Sequence, residues 1–84
     1  MNKTQRATLD AVFARPTRAG IRWSSIESLL RALGGEISER EGSRIAVRLN
    51  GVIAVFHRPH PHPDTKKGVV DAVRQFLINA GVKP

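Results

Sequence analysis

The chain of 84 residues is predicted to be an α+β protein in which helices cover the apolar face of a three-stranded antiparallel sheet. Three observations predict this. Apolar residues recur at three- and four-residue spacing near the start and at the end of the chain; between these segments the pattern alternates; and Asn50-Gly51 divides the alternating stretch into two runs. At this length one domain is expected, with residues 1–22 as an N-terminal helical extension and basic connector and residues 23–82 as the core.

Thr4 to Ala14 places Leu9, Val12 and Phe13 at helical spacing. It stops at Arg15-Pro16, because a proline biases the residue before it out of the helical region. Thr17 to Arg22 reads as a basic connector containing Gly20, so the opening helix is expected either to dock loosely or to pack on a partner. Ser24-Ser25-Ile26-Glu27 has the form of a capping box, with the Ser24 hydroxyl taking an amide of the first turn and Glu27 reaching back to the cap. Ile26, Leu29, Leu30 and Leu33 then repeat at helical spacing, and Gly34-Gly35 supplies a left-handed exit. Trp23, just before the cap, suits a hydrophobic staple and reads as a packing residue rather than a platform for stacked bases.

From Glu36 the period changes to alternation around Ile37, giving a short first strand that ends at Glu41-Gly42-Ser43. Arg44 to Leu49 and Val52 to His57 flank Asn50-Gly51, the strongest short-range hairpin signal, because both turn residues must adopt positive φ. A two-residue turn fixes the register. Leu49 pairs with Val52, Val47 with Ala54 and Ile45 with Phe56 on the core face; Arg48 pairs with Ile53, Ala46 with Val55 and Arg44 with His57 on the other. Arg44 and His57 fall at a non-hydrogen-bonded position, where opposed side chains approach most closely.

Residues 58–65 alternate with prolines and so cannot form a central strand; a stiff, extended loop is expected. Thr65 or Asp64 is placed to cap a last helix from Lys66 to Ala80, with Val69, Val70, Val73, Phe76, Leu77 and Ala80 on one face and Gly81 closing it. Without the opening helix, the order α-β-β-β-α is that of a double-stranded-RNA-binding-domain-like fold, a likeness that does not by itself establish function.

Fourteen Lys and Arg oppose seven Asp and Glu, a net charge of +7. The excess is spread along the chain rather than held in a tail, and its natural partner is a polyanion. A basic surface that only keeps a small protein in solution explains the same count. The absence of cysteine excludes disulfides and thiolate zinc sites and fits a cytoplasmic protein. No signal-peptide core and no stretch long enough to span a bilayer is visible, so no membrane partner is expected. Without a Walker loop or dinucleotide fingerprint, no small-molecule cofactor is expected either. Ser24 and Ser25 are explained by capping, and Ser43 has no carboxylate-histidine relay in view.

The helix ending in Leu33-Gly34-Gly35, the strand after it, the Gly42-Ser43 step into the hairpin, the third strand ending in His and Pro, and the last helix closing at Ala80-Gly81-Val82 together resemble the HicA family of toxin-antitoxin mRNA interferases. The resemblance covers residues 24–82. It implies a compact domain that cleaves mRNA without a metal and is neutralised by a HicB-like antitoxin encoded beside it. Residues 1–23 look like an extension that short family members do not need. In many members the Gly-Ser step is followed by the histidine that carries the chemistry. Here that position is Arg44, which leaves three readings: the activity is lost, it has moved to His57 or His60, or the likeness is one of fold alone. The hairpin register favours relocation.

Cleaving RNA without metal requires a base for the 2′-hydroxyl proton, an acid for the leaving oxygen and a cation for the charged phosphorane. His57 is assigned as the base, His60 as the acid or a phosphate contact, and Arg44 as the electrostatic stabiliser, since histidine exchanges protons near neutral pH and the arginine fork matches phosphate. An ordinary strand-end histidine and a solvated arginine are the plain alternative. His57, His60 and His62 also form a possible ligand set, but alternating prolines point neighbouring side chains apart, so no metal is expected. Arg48, Arg58, Lys66 and Lys67 are candidates for phosphate contact, the lysines at a helix start whose free amides also favour anions. Arg18 and Arg22 are placed to meet RNA or an acidic antitoxin, and each of these cations reads equally well as a solvated side chain.

Overall fold

A computed structural model describes residues 1–84. Its elements are α1 (Lys3–Phe13), β1 (Ile21–Arg22), α2 (Trp23–Ala32), β2 (Glu36–Glu39), β3 (Arg44–Leu49), β4 (Val52–His57), β5 (Asp64–Thr65) and α3 (Lys67–Asn79). The architecture is α+β, with a three-stranded antiparallel sheet in the order β2-β3-β4 and a separate two-stranded ribbon of β1 and β5. It is consistent with the α-β-β-β-α order of the double-stranded-RNA-binding-domain-like fold.

The hairpin register is the one expected from the turn: Arg44 faces His57, Ile45 faces Phe56 and Leu49 faces Val52. Asn50 and Gly51 take φ of 50° and 81°, the left-handed pair that a tight hairpin requires. Asn50 also donates through Nδ2 to the Ala80 carbonyl at 2.8 Å, tying the turn to the end of α3. Ile45, Val47, Leu49 and Phe56 turn inward to join Ile26, Leu29, Leu30, Val73, Phe76 and Leu77 in the core. Trp23 and Phe76 flank Phe56, at ring-centroid distances of 6.0 and 5.8 Å, so Trp23 is a core residue and offers no exposed face to a base.

Both α2 and α3 end by the same device. The Gly35 and Val82 amides reach back to the Leu30 and Leu77 carbonyls at 2.8 and 2.9 Å, while Gly34 and Gly81 hold positive φ. These bonds satisfy carbonyls that the helix leaves open. Gly35 is glycine for a different reason, since a Cβ there would lie 2.7 Å from the Leu30 carbonyl oxygen.

Three expectations are corrected. The Ser24 capping box does not form: α2 starts two residues earlier than that cap would set, at Trp23, with Arg22 at the cap position and no side-chain cap. The start shifts by two residues because Trp23 is drawn into the core and its amide bonds the Pro63 carbonyl at 2.9 Å. Neither Asp64 nor Thr65 caps α3, whose cap residue is Lys66, again without a side-chain bond; both are engaged in the ribbon, facing Arg22 and Ile21. The 58–65 segment is not extended throughout but bends across Pro61–Pro63 before entering β5.

The opening helix does not dock loosely. Leu9 and Val12 are buried in the common core, and Gln5 donates to Ser28 of α2 at 3.0 Å. Buried Arg74 of α3 donates to the Val12 and Ala14 carbonyls, each at 3.2 Å, to the Thr17 hydroxyl at 2.8 Å, and to Asp71. Carbonyls at the end of α1 that would otherwise be unsatisfied are thereby bonded from across the fold.

Candidate functional site

Where β4 leaves the sheet, two kinds of environment lie side by side. The first is an ion cluster. Arg58 sends Nε to Glu27 at 2.7 Å, Nη2 to Glu27 and Glu39 at 3.1 and 2.7 Å, and Nη1 to Glu39 at 2.6 Å. Glu27 is 7% exposed and also accepts from the Trp23 indole. The Arg58 guanidinium, aided by that indole, holds the Glu27 carboxyl below the usual carboxylate range against the opposing effect of burial, and it does the same to Glu39. The two carboxylates in turn make Arg58 harder to deprotonate. A backbone bond from Arg58 to the Ser43 carbonyl, at 2.9 Å, anchors the cluster beyond the last hairpin pair.

The second is an open cavity of about 430 Å³, with His57, His60, His62, Asp64, Thr65 and Lys66 among its lining residues. Two of the three residues assigned to catalysis therefore meet there, together with one of the lysines assigned to phosphate. Lys67 begins α3 beside Lys66. Arg58 forms part of the wall, with four of its five N–H donors spent on carboxylates.

Arg44 faces His57 in the sheet register, and both are exposed. Its Nε donates to the Glu41 carbonyl at 2.9 Å, so the side chain is tethered to the loop before β3, and it does not line the cavity. Arg48 lies on the outer sheet face opposite Ile53 and Glu36. It lines a separate hollow of about 230 Å³ with Ser38, Arg40 and Ile53. Arg40 was not singled out in the sequence because it stands outside the strand pattern.

Sequence reasoning also missed Glu27, Glu39 and Arg74. Glu27 was read as a local cap because its actual partner, Arg58, lies on another element. Arg74 sits amid a run of core residues, with nothing beside it to show what its guanidinium would meet. No helix is long and apolar enough to cross a membrane.

No curated protein and no solved structure matches the chain. The sequence profile of the HicA toxins of bacterial toxin-antitoxin systems matches residues 23–82, the span from the first residue of α2 to the turn after α3. With that profile covering most of its length, and the fold the profile leads one to expect, the chain belongs to the HicA toxin family.

Proposed function

We propose that this HicA-family toxin is a metal-independent endoribonuclease acting on mRNA in the cytoplasm, held inactive by a HicB-like antitoxin that covers its basic face. The observation that carries the reading is the convergence of His57, His60 and Lys66 on one open cavity. His57 takes the proton of a ribose 2′-hydroxyl, whose oxygen attacks the adjacent phosphorus. The phosphorus to 5′-oxygen bond breaks, and His60 in its protonated form supplies the proton to the leaving oxygen, giving a 2′,3′-cyclic phosphate and a free 5′-hydroxyl. Arg44, across the sheet from His57, offsets the charge on the phosphorane after leaving the Glu41 carbonyl. Lys66, Lys67 and Arg48 hold the RNA backbone. Arg58 contributes to shape rather than to phosphate binding, because a phosphate would have to displace two carboxylates from it.

Purified protein incubated with RNA and a chelator tests this directly. Cleavage is expected to persist with chelator and to fall by about 10²- to 10⁴-fold in His57→Ala, the range for loss of a positioned acid or base. Undiminished cleavage by that variant would remove the assignment. The tether on Arg44 favours a second reading, in which the same face binds RNA without cutting it. Retained binding with no cleavage by the wild-type protein would select that reading.

A further inference from the structure

We propose that Arg18 and Arg22 of the connector carry the RNA-binding surface beyond the cavity, joining Lys66 and Lys67 in one strip of cations that grips the phosphates of a strand running out of it. This rests on reading the cavity as an RNA site and identifies which face of the protein the polymer follows.

The way the connector is tied down builds the strip. At one end the Thr17 hydroxyl donates to Asp71 of α3 at 2.5 Å and accepts from Arg74 at 2.8 Å. At the other, the Gly20 amide donates to the Thr65 carbonyl at 3.1 Å, Ile21 pairs with Thr65, and Arg22 pairs with Asp64. Residues 17–22 therefore run antiparallel to residues 71–64 and are fastened at both ends. Arg18 lies between the two fastenings, along the first turns of α3, where Lys67 stands one turn before Asp71. Directly opposed residues of an antiparallel pair share a face. Arg22 thus stands beside Asp64, which lines the cavity together with Lys66.

Charge gives a second, independent observation. Arg18, Arg22, Lys66 and Lys67 are all exposed, and none of them forms an ion pair. Of the two carboxylates alongside, Asp71 is engaged by Arg74 and Thr17, which leaves only Asp64 to offset the four cations. The strip also has no apolar centre. The large hydrophobic side chains exposed on this protein are Met1, Ile53, Val55 and Ile78, none of them in residues 17–22 or 64–71. A protein partner would dock on such a centre, whereas a phosphate chain needs cations held in register. The family profile begins at Trp23, so both arginines lie outside it and add contacts to the core site rather than replacing any.

The test measures binding against salt for two probes, a dinucleotide and a decanucleotide of single-stranded 2′-O-methyl RNA, which the proposed chemistry cannot cut. The whole protein is compared with the double variant Arg18→Ala/Arg22→Ala and with Lys83→Ala, which removes an exposed charge beyond the far end of α3. For the decanucleotide, the slope of log K against log salt is expected to fall by about 0.7 for each arginine removed. The dinucleotide, confined to the cavity, should bind the double variant as it binds the wild type. Lys83→Ala should leave both slopes unchanged. Arg22 makes no side-chain bond to α2 and neither arginine forms an ion pair, so thermal melts of the double variant and the wild type should coincide.

A decanucleotide slope in the double variant equal to that of the wild type would overturn the strip, leave the cavity as the RNA site, and leave the two arginines to an acidic protein partner. An equal loss of slope per charge in Lys83→Ala would overturn it too, because net charge rather than this face would then set the binding. Failure of the wild type to bind either RNA would refute the RNA reading itself and the strip with it.

Discussion

Arg58 and Lys66 line the same cavity, yet the structure spends one charge and leaves the other free. The guanidinium is surrounded by Glu27 and Glu39, while Lys66 is exposed and forms no ion pair. The difference teaches that an excess of cations in a composition is not a measure of the positive surface offered to a polyanion. Arg74 makes the same point from the other side of the fold, where it is buried against the end of α1 and Asp71. Some of the basic residues thus build the scaffold that presents the others. Stability should be sensitive to the first group and RNA affinity to the second.

The largest expected break in that comparison is Glu27→Ala. It strands the Trp23 indole and the Nε of Arg58 in a largely dry setting, and a loss of about 2–4 kcal/mol in unfolding free energy is expected by urea titration. A loss under about 1 kcal/mol would make the cluster equivalent to an ordinary surface pair. Acid should act through the same carboxylates. Arg58 holds Glu27 and Glu39 below the usual range in the folded chain, so the unfolded chain binds protons more readily. The stabilisation is fully present above the unfolded carboxylate range, and is lost as pH falls through about 4 and lower. Melting temperature should therefore drop between pH 5 and 3, and drop less steeply in Glu27→Gln.

What was legible in the sequence follows the same division. The hairpin could be read to the residue because Asn50-Gly51 fixes the register locally and apolar alternation fixes the face; Arg44 opposite His57 follows from those two facts alone. The ends of α2 and α3 were legible because Gly34 and Gly81 mark left-handed backbone directly. Helix starts were not. Ser24 and Thr65 are good caps in isolation, but the packing of Trp23 and the pairing of Thr65 with Ile21 outweigh a cap worth about 1 kcal/mol. The β1-β5 ribbon was invisible for the same reason, since strands of two residues carry no period. In the candidate site, His57 and His60 could be named from sequence. That Arg58 would be occupied and Lys66 left free depended on carboxylates contributed by α2 and β2, distant in the chain.

RNA affinity sharpens the comparison at smaller energies. Lys66→Ala should reduce the slope of log K against log salt by about 0.7, the value for one phosphate contact on a single strand, with little effect on melting. Arg58→Ala should do the reverse, lowering the melting temperature and leaving the slope unchanged. Equal losses of slope in the two variants would mean that Arg58 leaves its carboxylates to meet RNA.

The smallest effect is expected at Glu39. Its side chain is 68% exposed, so water and salt screen what it gives to Arg58, and Glu27 still accepts from that guanidinium through both oxygens when Glu39 is neutral. Glu39→Gln should therefore lower the melting temperature less than any other change in the cluster, and the difference should vanish as salt is raised. Its effect on RNA should be opposite in sign. Removing one of the carboxylates that balance Arg58 leaves more positive potential at the cavity wall, so RNA should bind somewhat more tightly at low salt. Weaker RNA binding by Glu39→Gln would mean that the clamp's geometry, rather than the charge it neutralises, is what the cavity requires.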